Sequence, residues 1–217
     1  MALAVTLYFL GDFETARQNA MHGVQIWRSG AVQSQVEEVD APAVSCLFFK
    51  ALIEWHIGEI ASCHATMAEG ISLVKELNDI HGLAVALHYS AVLSYRERNP
   101  AEVERLASDL IELSTRQNFA HFMAVGVALR GWARSASGDK AEGISWIEEG
   151  IGDYRATGSM LDIPFLLALK AEALHLADRT SDALEAEVLQ LCRPAVIGWL
   201  DAPSGLFGLW PVQVAPV

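Results

Sequence analysis

Residues Gly131–Leu174 read GWARSASGDKAEGISWIEEGIGDYRATGSMLDIPFLLALKAEAL, and this stretch decides the fold. Gly138 and Gly158 cut it into segments, in a chain whose alanine and leucine content favours helix. Glycine takes the left-handed conformation that ends a helix at no steric cost, so each break is expected to close one helix and open the next. Gly131 and Gly143 stand five to seven residues either side of the first break. Helices joined by a short turn approach closely only where side chains are small, so these two glycines mark an expected crossing.

Working outward, the same pattern recurs at a spacing of 40. Ala51, Ala91, Gly131 and Ala171 form a small column, and Cys63, Val103, Gly143 and Ala183 a second compact one. Leu47, Leu87, Val127 and Leu167 form an aliphatic column four positions before the first. Ala4 and Ala16 add a further unit, offset by 47 because of a polar insertion around residues 30–40. Gly11, Gly58 and Gly138 mark turns, with Arg98 and Asp178 at equivalent places, and Asn78, Asn118 and Gly158 mark the second break. First helices are expected near 41–57, 80–97, 119–137 and 160–177. Second helices are expected near 12–28, 60–77, 100–117, 140–156 and 180–192, with Pro100 at an early position where its missing N–H costs nothing. The expected fold is all-α, a solenoid of antiparallel helix pairs over residues 1–192 with a shortened first unit. Residues 193–217 form a Pro/Gly/Trp-rich tail that breaks the register, either a segment folded over the last unit or an aberrant end.

Composition narrows the function classes. A formal net charge of −12 argues against the broad basic surface that nucleic-acid binding needs. No uncharged apolar run reaches the ~18 residues of a membrane span, and the apolar start lacks a signal peptide's basic flank and cleavage site. Cys46, Cys63 and Cys192 contain no CxxC, so a disulfide framework is not expected and a cytoplasmic protein is. His56, Cys63 and His64 invite a metal reading, but packing explains them more simply. No phosphate-loop, HExxH or GxSxG motif occurs, so neither a catalytic site nor a cofactor is expected.

Leu47, Ala51, Gly58, Cys63, Met67 and Gly70 carry the large, small, turn, small, large and small characters of a tetratricopeptide repeat, as do Val127, Gly131, Gly138, Gly143, Ile147 and Gly150. The chain resembles that family over roughly residues 7–190, without its first-helix aromatic pair or closing proline. The stretch Gly131–Leu174 more closely resembles the C-terminal repeats of large bacterial proteins joining a class III adenylate/guanylate cyclase domain to a predicted ATPase. That resemblance implies a protein-interaction or sensor arm, with catalysis in an upstream domain. A self-contained small-molecule-binding regulator or enzyme on a helical scaffold is the alternative.

Two groups of residues are candidates for a partner-binding groove. Lys50, Ser90, Arg130 and Lys170 form a polar column, basic in three units, with Arg134 one turn beyond Arg130. Stacked units would space these side chains by about one helix diameter, ~10 Å, and an acidic protein or peptide would fit such a stripe. Solvated stems and pairs such as Lys50–Glu54 are the plainer explanation. Trp55, Tyr95 and Trp132 could line a groove for stacking or form the core between units, and core is preferred.

Overall fold

The computed structural model describes residues 1–30 and 42–185. Ten helices, and no strand, occur among them: α1 (Ala2–Phe9), α2 (Phe13–Arg28), α3 (Pro42–His56), α4 (Ile60–Leu77), α5 (Ile80–Arg96), α6 (Pro100–Gln117), α7 (Ala120–Ala136), α8 (Lys140–Ala156), α9 (Ile163–Leu176) and α10 (Thr180–Glu185). The tail 193–217 and most of the polar insertion lie outside the described residues.

The helix ends follow local chemistry. Asp12, Asp79 and Asn99 accept hydrogen bonds from the N–H groups of Thr15, Gly82 and Glu102, each satisfying an orphan donor of a helix start. At Gly11, Gly58, Arg98, Gly138 and Asp178 the backbone has positive φ. Each donates its N–H three residues back, and the next residue donates five back, as Gly58 to Trp55 and Glu59 to Glu54. This hydrogen-bond pattern is the Schellman close of a helix. Asn78, Asn118 and Gly158 also have positive φ and follow the ends of α4, α6 and α8. Among the described boundaries only the start of α9 departs by more than one residue, at Ile163 instead of 160, and the expected end of the last helix near 192 lies outside the described residues. Asp162 precedes the first turn and Pro164 lies within it, a position that requires no N–H.

Successive helices pack on one another, most extensively α7 with α8. Gly131 faces Gly143 while Gly150 faces Ala124 and Ala128, so the contacts descend one helix as they climb the other. A Cβ added to Gly131 would lie 2.6 Å from the Gly143 carbonyl oxygen, which makes this a backbone-to-backbone approach. Ala16, Ala51, Ala91, Cys63 and Val103 are fully buried at corresponding contacts, whereas Ala171 and Ala183 are only partly covered. Each odd helix also touches the next odd one, from α1 to α9, and no comparable contact joins the even helices among the described residues. The odd helices therefore form the interior, and α3 and α5 bury nine or more residues each.

Candidate functional site

The even helices stand apart over the odd ones and leave furrows between them. One such cavity, about 290 Å³, has Leu47 of α3 among its lining residues, with Val24, Trp27 and Arg28 of α2 and Glu69 and Leu73 of α4. None of the basic column lines this cavity, and its members pair with neighbouring residues instead. Arg130 of α7 reaches Glu104 of α6 at 2.9 Å and stacks over Trp146 of α8, 4.7 Å from the ring centre. Arg134 stacks on the same ring at 5.4 Å and bonds Glu142 at 3.1 Å. Lys170 of α9 meets Glu148 of α8 at 2.9 Å. Lys50 donates to Glu54 at 2.5 Å and to Thr66 of α4 at 2.7 Å. Ser90 keeps a buried hydroxyl without a partner.

The column is thus a set of neutralised pairs, and an acidic ligand would have to displace Glu104, Glu142 or Glu148. Lys50 differs from the rest. Glu54 is only 3% exposed, and its second carboxylate oxygen has no partner, so Lys50 balances a buried charge.

The aromatic candidates divide. Trp132 is 1% exposed and belongs to the core. Tyr95 packs edge-on against it at 4.8 Å and against Phe165 of α9 at 5.6 Å, and its hydroxyl donates to Glu172 at 2.9 Å. Arg98 also binds Glu172, so α5 and α9 are tied across α7. Burial beside the Glu172 carboxylate raises the Tyr95 phenol well above its ordinary range, which keeps it a hydrogen-bond donor. Trp55 has the guanidinium of Arg96 over its ring at 5.2 Å, as Tyr95 has that of Arg98 at 5.5 Å.

The sequence did not single out Arg96. Its side chain donates to the Tyr8 hydroxyl at 3.0 Å and lies 3.3 Å from Nδ1 of His56, joining α5 to α1 and α3. Phe13 stacks on His56 at 4.7 Å. Desolvation, and then the Arg96 charge, push the His56 imidazole down to about 3, so it is neutral. His64 turns away to Glu97 at 2.9 Å, and Cys63 is buried with its thiol raised to about 11, chiefly by burial. These three residues do not converge on a common point, and no metal-binding cluster occurs among the described residues.

A second histidine group lies between α5, α7 and α9. His88 is 4% exposed, stacked on Tyr89 and edge-on to Phe122. His121 stands 3.8 Å from Asp162, which accepts from the Tyr154 hydroxyl at 3.1 Å. Burial lowers both imidazole pKa values, and Asp162 offsets this only in part. The unfolded chain therefore takes up protons first, so this stabilisation is complete above the ordinary histidine range of ~6.5 and declines as pH falls below it. At full slope one such histidine costs about 1.4 kcal/mol per pH unit. Replacing His88 with Leu is expected to flatten the loss of stability between pH 7 and pH 5 by about one proton's worth. Urea midpoints at the two pH values measure it, and an unchanged slope would show that His88 is protonated in the native state.

No family model and no solved structure matches the chain. Over 135 residues it is 22% identical to an uncharacterized protein of Rhizobium meliloti (strain 1021), a match covering 62% of this chain and 13% of that protein. The chain thus corresponds to a small part of that relative's length. No helix among the described residues is long and apolar enough to cross a membrane.

Proposed function

We propose that the chain is a tetratricopeptide-like solenoid serving as a protein-interaction or sensor arm. The observation that carries this reading is the stacking of odd helices beneath separated even ones, with the same left-handed turn at 58, 98, 138 and 178. Such a stack leaves parallel furrows along its length, a surface suited to an extended partner. The length of the matching relative accords with a repeat arm inside a large multidomain protein. Its parent would be a bacterial signalling ATPase or adenylate cyclase, with catalysis in another domain, as the resemblance of Gly131–Leu174 implies. The partner is a protein or peptide with acidic groups, which exchange with the furrow carboxylates for Arg130, Arg134 and Lys170.

The double change Arg130→Ala and Lys170→Ala tests this reading. Both pairs are substantially exposed and worth about 0–1 kcal/mol each, so folding is expected to survive. Lys50 is left intact because removing it strands the Glu54 carboxylate. A partner recovered from bacterial lysate is expected to bind the double variant several-fold more weakly, with a shallower salt dependence. Equal affinity and equal salt slope would return the column to ordinary surface.

A further inference from the structure

Trp27 is the indole that this fold leaves unmatched. Trp55 carries the guanidinium of Arg96, Trp146 those of Arg130 and Arg134, and Trp132 packs edge-on with Tyr95. Trp27 meets neither a cation nor a second ring among the described residues, and it lines the cavity of about 290 Å³ between α2 and α4. Its register counterparts, 47 residues on and then at steps of 40, are Val74, Ser114 and Tyr154. All three are buried, whereas Trp27 is only partly covered. The ring therefore borders open space where the other units are closed.

The cavity sets that ring beside a spare carboxylate. Val24 and Leu47 supply apolar lining, and Arg28, Glu69 and Glu76 supply its charges. Arg28 forms an ion pair with Glu69. Glu76 is exposed and has no partner among the described residues, so the lining keeps one surplus negative charge. Arg28 follows Trp27 directly on α2, and consecutive helical side chains do not face one another. At about 290 Å³ the space lies at the foot of the ~300–1,000 Å³ range of ligand pockets, which leaves room for one long side chain.

The fold itself shows what satisfies such a pair. Arg130 reaches Glu104 of α6 at 2.9 Å and lies over Trp146 of α8, so one guanidinium joins a carboxylate of one even helix to an indole of the next. Between α2 and α4 the indole and the carboxylate are both present, and no described arginine joins them. We propose that this cavity takes an arginine side chain of a protein partner, its stem along Val24 and Leu47 and its guanidinium stacked on Trp27 and paired with Glu76. A planar, weakly hydrated guanidinium suits an aromatic face and a carboxylate together, and its aliphatic stem covers the apolar lining. This inference rests on the interaction reading above, but its site shares no residue with the basic column.

The test is a titration of the full, ¹⁵N-labelled chain followed at the Trp27 indole N–H resonance. The probes are two acetylated, amidated alanine pentapeptides, one with a central arginine and one with citrulline, its neutral isostere. A saturable shift is expected with the arginine peptide, weakened at moderate salt and at least about fivefold weaker for citrulline. Glu76→Gln should weaken the arginine peptide by a similar factor, and its exposed, unpaired side chain leaves the fold intact. Arg28→Gln, which frees Glu69, should tighten it severalfold. The wild-type comparison of the two peptides needs no variant and so stands whether or not either one folds. No saturable shift with the arginine peptide, or equal affinity for the two peptides, would overturn the proposal, as would unchanged affinity in folded Glu76→Gln. A lysate partner lost by the Arg130→Ala and Lys170→Ala double variant but held equally by wild type and Glu76→Gln would overturn this site alone and leave the interaction reading standing.

Discussion

Gly131→Leu is expected to cost more than about 3 kcal/mol, and Gly131→Ala about 1–2 kcal/mol, where an exposed helical glycine would gain from the same change. The reason is what the new Cβ meets: the Gly143 carbonyl oxygen at 2.6 Å and the Ile147 backbone nitrogen at 2.9 Å. Backbone cannot swing aside as a flexible side chain can, so α7 and α8 must separate along the most extensive contact in the fold. Gly152 supplies the control. It lies in α8 with nothing within 4 Å of its added Cβ, so Gly152→Ala should gain about 0.5–1 kcal/mol from helix propensity alone. Urea denaturation of the three variants decides the matter. A midpoint for Gly131→Leu equal to that of the wild type would mean that the small column is not a helix contact.

Trp132→Ala should lose about 3–5 kcal/mol, the cost of emptying a large buried aromatic site. Trp132 is the largest fully buried side chain among the described residues, in a cluster that also holds Ala91, Leu129 and Leu166. Its indole N–H is buried without a partner, so it already carries an uncompensated polar group. Trp132→Phe removes that group and keeps most of the apolar contact, and it should cost far less than the alanine change. Thermal and urea unfolding of both variants measure the difference. A loss below about 0.5 kcal/mol for Trp132→Ala, the range of ordinary surface changes, would return this residue to a ligand-facing role.

The helices and their ends were legible because they depend on residues close in sequence. Gly58, Asn78, Asn118 and Gly138 announce left-handed caps by residue type, and Asp12, Asp79 and Asn99 cap helices within three residues of themselves. Arg98 is a poor left-handed residue by type and Asp178 only an occasional one, and their distance from Gly58 and Gly138 pointed to them. Of the small residues spaced by 40, Ala51 and Ala91 are fully buried and Gly131 makes a close helix contact, whereas Ala171 is only partly covered.

The chemistry of the surface was decided by tertiary structure. Lys50 and Glu54 pair within one helix and could be anticipated, because i and i+4 share a face. Arg130 with Glu104, and Lys170 with Glu148, pair between helices, and which carboxylate arrives depends on how each helix is rotated about its axis. A rotation by one residue moves a side chain through about 100°, enough to exchange one partner for another. The sequence alone thus determined the all-α character, the helix boundaries and the left-handed turns, because backbone conformation and capping are short-range. Arg96 meets Tyr8 and His56 across 88 and 40 residues of chain, and only the packing of α1, α3 and α5 brings them together, because such contacts act at short distance.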